Sequence, residues 1–463
     1  MSKPRSILDV APLAAALLIV AVVLVVAIGL ITGSRSPTPT EDPGSIAALG
    51  PSPSTAPSAR PVPETQPLAR SPSISPTDTG ATPAPTPTPD VSEAPPATPT
   101  SAPIPTAQPT RQPPVTPPPT VQPTPTSDVP SDALRLRRIE SITGGLSPKS
   151  VVASQTGLFF AQNMMYRHTI SVFDREFERV KTIRDSVDLA KFGFSSEKRV
   201  VKGAPVEAAF SPDRRFVYIS QYSMYGQGFP NPGADDCAPS DRHDDSFVYR
   251  IDVETLKIDQ LIRVGATPKY LAVSPDGKYL VVTNWCSYDV SIVRTSDGKE
   301  VKRIYVGRYP RGIAIDPGST TAYVGIMGGT DIAKIDLDTF RLRWIRDVGP
   351  APRHLVMDPA GRFMYVTLAG GGGVIKIDLT SDRTVARVQT GDNPRSMDIS
   401  MDGRSLYVGN YEGNTVSKVR TRDMTVLQTL PTAYHPIGIT YDSVSRQLWV
   451  ACYSGVIQVF EDR

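Results

Sequence analysis

Cysteine is scarce in this sequence of 463 residues, which contains three, none of them in a CxxC or CxxCH motif. Three cysteines are too few for a disulfide scaffold, and covalent haem attachment and the familiar zinc arrangements lack their motifs. The net charge is +3, close to neutral for a chain of this length. Because binding to nucleic acid rests on many phosphate contacts, such a chain is not expected to bind nucleic acid.

Helical periodicity and nucleophile motifs are also missing from the C-terminal part of the chain. Residues 133–463 show no apolar pattern with a period of 3.6, which excludes a solenoid of helices. No serine or cysteine lies in a recognisable nucleophile motif. The Gly-His and Trp-Asp pairs that are typical of WD40 repeats are absent as well.

One long apolar run is present near the N-terminus. Val10–Thr32 contains no charged residue and is long enough to span ~30 Å of hydrocarbon as a helix. Lys3 and Arg5 precede it and favour a cytoplasmic N-terminus. The sequence therefore predicts residues 1–32 as a cytoplasmic tip and single-pass membrane anchor. The alternative is a signal peptide that is cleaved before secretion, and in both cases the rest of the chain is exported.

Proline is concentrated in the next segment, Gly33–Asp132, together with threonine, serine and alanine. This composition offers too little apolar surface to offset the entropy of ordering, so the segment is predicted to be disordered. Repeated proline favours extended polyproline II, which suits a stalk between a membrane and a folded domain.

The remaining region, 133–463, contains an internal repeat. Pro268, Pro310, Pro352, Pro394 and Pro436 recur at intervals of 42 residues, and Pro148 and Pro205 begin two earlier copies with insertions. Each copy holds four alternating apolar runs separated by turn residues, as in "KYLAVS", "YLVVTN", "DVSIVR" and "EVKRIYVG". Four strands in about 42 residues match one blade of a β-propeller.

The two ends of this region predict how the ring of blades closes. The seventh copy ends at "GVIQVFEDR", after three strands, and the region begins with "ALRLRRIESITGG", which is similar to a fourth strand. The N-terminal strand should therefore complete the last blade and cover its open sheet edge. We predict an all-β, seven-bladed propeller.

The second strands carry a family resemblance. They read "LVVTN", "AYVGI", "MYVTL", "LYVGN" and "LWVAC", and turns such as "SPDG" precede them. This pattern resembles the YVTN-family β-propeller repeat proteins, over all of 134–463 and most closely over 265–430. The resemblance implies a surface-layer-associated or periplasmic setting, and it implies little about activity.

The residue after each repeat proline should lie at one mouth of the central channel, because first strands line the channel. By blade it is Lys149, Val206, Lys269, Arg311, Arg353, Arg395 and Ile437. We name its five basic members, Lys149, Lys269, Arg311, Arg353 and Arg395, the basic ring. Convergent guanidinium groups bind carboxylate or phosphate well, and a funnel of one charge steers anions. The alternative is that duplication of one repeat copied a basic residue without selection for a site. These side chains would then be solvated or paired with acids of the chain such as Glu207 or Asp398.

Further ligand-binding candidates lie beside the basic ring. Tyr270 and His354 follow two of its members, and Trp285 and Tyr411 lie in loops between second and third strands, which share this face. Aromatic rings beside cations suit a sugar acid, a polysaccharide or a peptide. Alternatively, these rings pack the loops together.

Residues 223–246 form an insertion in the corresponding loop of blade 2. In an exported chain its Cys237 should form a disulfide with Cys286 of the neighbouring blade, although Cys452 of blade 7 competes. The insertion also contains Asp235, Asp236, Asp241, Asp244 and Asp245. These carboxylates could bind calcium, but they do not follow an EF-hand spacing, and no cofactor is expected. A second insertion, 184–200, has no assigned role.

The sequence is compatible with three functions for this propeller, which is expected to be exported and monomeric. The first is a non-catalytic module that binds an anionic small molecule, glycan or protein at the channel mouth. The second is an enzyme, a lactonase, lyase or hydrolase, in which His354 or His435 would act as a base. The third is a structural protein of the cell envelope. A histidine joined to a carboxylate in a deep pocket would favour the enzyme.

Overall fold

The repeats fold as the blades of a propeller. In a computed structural model, which describes residues 129–463, seven antiparallel sheets of four strands surround a central channel. The alternating apolar pattern produces this arrangement, because each sheet buries one face against the preceding blade and one against the next. The fold is an all-β, seven-bladed propeller, as the repeat predicts.

The strands follow the repeat closely. Blade 1 contains β2 (Ser150–Ala153), β3 (Phe159–Asn163), β4 (Thr169–Phe173) and β5 (Arg179–Arg184). The hairpin β6 (Ser186–Asp188) and β7 (Val200–Lys202) precedes blade 2, which contains β8 (Pro205–Phe210), β9 (Phe216–Gln221), β10 (Phe247–Asp252) and β11 (Lys257–Arg263). Blade 3 contains β12 (Pro268–Val273), β13 (Tyr279–Asn284), β14 (Asp289–Arg294) and β15 (Lys299–Tyr305). Blade 4 contains β16 (Pro310–Ile315), β17 (Thr321–Ile326), β18 (Ile332–Asp336) and β19 (Leu342–Ile345).

The last three blades have the same order of strands. Blade 5 contains β20 (Pro352–Met357), β21 (Phe363–Leu368), β22 (Gly373–Asp378) and β23 (Arg383–Gln389). Blade 6 contains β24 (Pro394–Ile399), β25 (Ser405–Asn410), β26 (Thr415–Arg420) and β27 (Thr425–Pro431). Blade 7 contains β28 (Pro436–Asp442), β29 (Gln447–Cys452), β30 (Val456–Asp462) and β1 (Leu136–Ile142). Short 3-10 helices occupy Ser131–Ala133, Leu189–Phe192 and Pro239–Asp241.

The N-terminal strand closes the ring in the predicted way. β1 is the outermost strand of blade 7 and pairs antiparallel with β30, with Leu136 opposite Asp462. Apolar side chains complete the closure between the last and first blades. Trp449 of blade 7 stacks on Phe159 of blade 1 with ring centroids 3.9 Å apart. Without β1, blade 7 would be a three-stranded sheet with an open edge at β30, and β1 covers that edge.

A buried ion pair reinforces the closure. The ammonium group of Lys418, in blade 6, lies 2.6 and 2.7 Å from the two carboxylate oxygens of Asp462. It also donates to the backbone carbonyls of Ser131 and Leu134, at 2.7 and 3.0 Å. Both side chains are fully shielded from solvent. One lysine therefore joins blade 6 to both ends of the domain.

The predicted membrane anchor and most of the predicted linker lie outside the described residues. Val10–Thr32 and the greater part of Gly33–Asp132 belong to that portion of the chain. The membrane-spanning helix and the disorder of the linker therefore remain predictions. Within residues 129–463 no helix has the length and apolar character needed to cross a membrane. Ser131, from the last residues of the predicted linker, is buried and donates to Asp402 of blade 6.

Candidate ligand-binding site

The innermost strands share a backbone irregularity next to the repeat proline. Strand registers shift just after Pro205, Pro268, Pro310, Pro352, Pro394 and Pro436, in six of the seven blades. A bulge bends its strand and redirects a side chain, and bulges are common at the rims of barrels and near binding sites. Four members of the basic ring, Lys269, Arg311, Arg353 and Arg395, lie at these positions, so the bulges explain why they turn towards the channel mouth.

The residue before the proline is also unusual. Its φ angle is positive in five blades and lies between +51° and +59°, at Thr267, Tyr309, Ala351, Asn393 and His435. This left-handed conformation is uncommon for residues other than glycine and disfavoured for a β-branched or bulky side chain. The same conformation occurs in turns elsewhere in the domain, but its recurrence before five repeat prolines shows that these blades share one strained turn at the channel mouth.

The members of the basic ring are buried rather than solvated. Lys269, Arg311 and Arg395 are 8% exposed, and Arg353 is 7% exposed. Arginines reach the backbone of a neighbouring blade. Arg311 donates to the carbonyl oxygen of Lys269, and Nε of Arg353 donates to that of Arg395 at 3.1 Å. Of the solvated or self-paired rim that the sequence left as an alternative, free solvation is wrong for these four residues, whereas pairing within the chain occurs.

Arg395 retains unused donor capacity. Its guanidinium carbon lies 3.5 Å from the centroid of the Tyr411 ring, in a cation–π contact. Its Nε is buried and makes no hydrogen bond within the part of the chain that the structure describes. A buried donor without an acceptor costs free energy. An incoming anion could remove that cost by accepting the hydrogen bond.

The pKa values of the two lysines reflect the crowding of like charges. Burial, followed by the proximity of Lys269, lowers the pKa of Lys149 to about 7. Burial lowers the pKa of Lys269 to about 8, although Asp235 opposes the change. Such shifts arise when cations are gathered in a poorly solvated place. An added negative charge would relieve the repulsion.

The next layer of the channel holds Glu207, Tyr270 and His354. Burial raises the pKa of Glu207 to about 7, while Arg311 opposes the change. Burial and then the charges of Arg311 and Arg353 lower the pKa of His354 to about 3, so its imidazole is neutral at pH 7. Its Nε2 lies 3.3 Å from the Tyr270 hydroxyl. The partner of His354 is thus a phenol and not a carboxylate.

The insertion places an acid directly on the basic ring. The Asp235 carboxylate forms an ion pair with Lys269 and accepts a hydrogen bond from the Tyr222 hydroxyl at 3.1 Å. Burial would raise the pKa of Asp235, but the charge and hydrogen bond of Lys269 outweigh it and lower the pKa. Asp235 therefore already occupies the place of an anionic ligand on one side of the mouth.

Two further features fasten the insertion to blades 3 and 4. Cys237 and Cys286 form a disulfide, with Cα atoms 5.5 Å apart, which leaves Cys452 as a buried free cysteine. The indole Nε1 of Trp285 donates to the carbonyl of Asp235 at 2.8 Å, and the ring stacks on Tyr309 at 4.1 Å. The Trp285 ring packs a loop, as the alternative from the sequence held, and also contacts Lys269 at 4.2 Å.

The other acids of the insertion are turned to separate partners. Asp236 accepts from the Tyr309 hydroxyl, Asp241 from the backbone of Ala238, and Asp244 from the backbone of Asn231; Asp245 pairs with Arg263 and Arg303. The five carboxylates that the sequence offered to calcium are therefore not brought together around one point.

A stack of rings connects the basic ring with the exposed surface. Tyr411 stacks on His435 with centroids 3.9 Å apart, and His435 stacks on Tyr434 at 3.6 Å. Tyr434 is 59% exposed, whereas Tyr411 is buried against Arg395. The Nε2 atom of His435 lies 3.2 Å from a carboxylate oxygen of Glu412. Of the two histidines considered as bases, His435 is the one beside a carboxylate.

Asp235 is the residue of this site to which the sequence assigned a different role. The sequence grouped it with four other acids as a metal candidate, because its reach towards Lys269 depends on how the insertion folds. The feature of the sequence that could have indicated this contact is the position of Asp235 two residues before Cys237. A disulfide to the loop of blade 3 brings the preceding residues close to the first strand of that blade.

Comparison with known proteins supports the fold. Residues 229–457 match the YNCE-like beta-propeller family. No curated protein matches the sequence. A solved structure of hydrazine synthase from Kuenenia stuttgartiensis is similar, with a TM-score of 0.54 and 18% identity, over 69% of this chain and 96% of that one. At this level of identity the likeness concerns the fold alone.

Proposed function

We propose that the protein is an exported binding module that takes up an anionic ligand at the channel mouth of its propeller. The observation that carries this proposal is the convergence of five basic side chains, four of which are at most 8% exposed and lie at the bulged starts of innermost strands. Burying like charges together is costly unless an opposite charge joins them. Asp235 supplies one such charge from within the chain.

The proposed setting follows from the N-terminal sequence. A helix over Val10–Thr32 would tether the chain, and the proline-rich segment would hold the propeller at a distance outside the cell membrane. The YVTN-like second strands favour the same surface or periplasmic setting. The disulfide between Cys237 and Cys286 is in keeping with an oxidising compartment.

The proposal is tested by titrating purified full-length chain with sulfate, inorganic phosphate, a sugar acid and an anionic oligosaccharide. Isothermal calorimetry gives the affinity, and a rise in melting temperature gives an independent measure, since a ligand of the native state stabilises it. A neutral sugar serves as the control ligand. If none of the anions binds more tightly than that sugar, the proposal fails.

Anion affinity is expected to fall as the pH rises from about 6 to about 8.5. Lys149 and Lys269 lose their protons near pH 7 and 8, and Glu207 gains its negative charge near pH 7. All three changes make the mouth less positive. Between a pH at which the lysines are charged and a pH at which they are neutral, the affinity should fall about tenfold for each unit by which the bound anion raises a lysine pKa. Sulfate is the suitable probe, because its own charge is constant over this range; a flat profile would contradict the expectation.

Replacing Asp235 with asparagine is expected to strengthen anion binding by roughly tenfold. The amide keeps the shape of the side chain but frees Lys269 from its ion pair, and a hydrogen bond to a charged group is worth about 1.5–3 kcal/mol. Calorimetry with sulfate measures the effect. The matched control is Asp244→Asn, in the same insertion but bonded to the backbone of Asn231. Equal affinities in both variants would show that Asp235 does not compete with the ligand.

A second candidate function is an enzyme at the same face. The observation that favours it is the contact of 3.2 Å between His435 and Glu412, which resembles a base and its orienting acid. Turnover of a lactone or ester that disappears in both His435→Ala and Glu412→Gln would support this candidate. His354 is a poorer base, because its pKa is lowered to about 3.

A further inference from the structure

Three side chains with metal-binding atoms meet where the insertion is joined to blade 3. The sulfur atoms of Cys237 and Cys286 and a ring nitrogen of His243 all lie within 4.8 Å of one another. Both cysteines are buried, at 5% and 1% exposure. Two sulfurs and an imidazole nitrogen are a donor set that favours Zn²⁺ among the common metals of proteins. None of the three belongs to the basic ring, and their chemistry does not depend on the proposed function.

The imidazole of His243 is oriented as that of a metal ligand. Its Nδ1 lies 2.9 Å from the carbonyl oxygen of Pro232, an acceptor that places the ring proton on Nδ1. The lone pair is then on Nε2, which is buried and makes no hydrogen bond to the residues the structure describes. Histidines that bind metals usually donate their other ring N–H to a carbonyl or carboxylate in this way.

Further groups around the cluster suit a bound cation. A carboxylate oxygen of Asp241 lies 3.7 Å from Nε2 of His243. The Thr267 hydroxyl lies 3.1 Å from the sulfur of Cys286 and can donate to it. Donation of this kind stabilises a thiolate, which is the form of cysteine that binds metals. The surroundings thus provide both negative charge and support for the sulfur ligands.

We infer that Cys237, Cys286 and His243 form a zinc site when the disulfide is reduced. A dithiol reductant delivers two electrons and two protons to the S–S bond, becomes a disulfide itself, and leaves two thiols. Zn²⁺ then displaces both thiol protons and binds the two thiolates and Nε2 of His243, with Asp241 or water as the fourth ligand. The insertion is held to blade 3 by a covalent bond in the oxidised chain and by a metal in the reduced one.

The test uses full-length chain that has been reduced with a phosphine, freed of reductant and titrated with Co²⁺ under anaerobic conditions. We expect one equivalent of Co²⁺ to bind, with the near-ultraviolet charge-transfer band of thiolate–cobalt bonds. The oxidised chain should lack this band. His243→Ala should weaken binding at least about tenfold, since even residues that only orient a ligand contribute 10–100-fold. Cys452→Ser, which removes the free buried cysteine, should bind like the parent chain.

Three results would overturn the inference. The first is a reduced chain without the charge-transfer band, and the second is an unchanged Co²⁺ affinity in His243→Ala. The third concerns folding: if reduction unfolds the propeller and added Zn²⁺ does not restore its circular dichroism, no such site exists. As a second measurement, Zn²⁺ should protect Cys237 and Cys286 of the reduced chain from alkylation, and His243→Ala should abolish that protection.

Discussion

Replacing Asp462 with alanine is expected to lower the free energy of unfolding by about 3–5 kcal/mol, because the change strands the buried charge of Lys418. The ammonium group of Lys418 would lose both carboxylate contacts, at 2.6 and 2.7 Å, and would keep only backbone carbonyls. The Tyr407 hydroxyl, which donates to Asp462 at 2.6 Å, would lose its acceptor as well. Burial already lowers the pKa of Lys418 despite the attraction of Asp462.

Urea unfolding of the parent and variant chains measures this effect. The matched control is Asp423→Ala, which removes an ion pair with Arg420 at the surface of blade 6, the blade of Lys418, and should cost at most about 1 kcal/mol. The double variant Lys418→Met with Asp462→Leu removes both charges and should recover most of the loss. A loss in Asp462→Ala no larger than that in Asp423→Ala would show that the pair does not hold the ring closed.

The second large effect is expected in the basic ring. Replacing Arg353 and Arg395 together with glutamine should weaken sulfate or phosphate binding by about 100-fold or more. Each guanidinium would offer the anion a charged hydrogen bond worth about 1.5–3 kcal/mol, and Arg395 has an Nε donor without a partner among the described residues. Calorimetry at pH 6.5, where the ring is most fully charged, gives the affinity.

Two controls separate a lost site from a damaged fold. Arg383→Gln removes one charge from the exposed outermost strand of blade 5 and should leave the affinity unchanged. The melting temperature of the double variant reports its fold, because Arg353 also donates to the backbone of blade 6. A well-folded double variant that binds anions as the parent does would place the ligand elsewhere.

The ring of blades could be predicted from the sequence because its causes are local and repeated. The prolines at intervals of 42 residues mark the start of each innermost strand, and period-2 runs decide which residues face neighbouring blades. The final closure could be predicted too, since an incomplete seventh repeat needs a fourth strand. The burial of Lys418 could not be predicted, because one lysine within the third strand of a blade carries no sign of its partner 44 residues later.

The site was predictable in composition but not in geometry. The sequence places a basic residue after most repeat prolines, yet the repeat pattern does not specify the bulges or the left-handed residues before them. For the same reason Arg311 proved to be buried, although an arginine is usually exposed. The contact of Asp235 with Lys269 depends on the path of a long insertion, which no short-range pattern specifies.

The position of the first residues of the domain has a mechanical consequence. Ser131 contacts Ser400 and Asp402 at the turn between the first two strands of blade 6, on the face opposite the basic ring. A ligand held at the mouth and a pull transmitted through the N-terminal chain would therefore act on opposite faces. Such a load would first meet the contacts of Ser131 with blade 6 and would then act on the pairing of β1 with β30. The segment that closes the ring would then also be the one that bears tension.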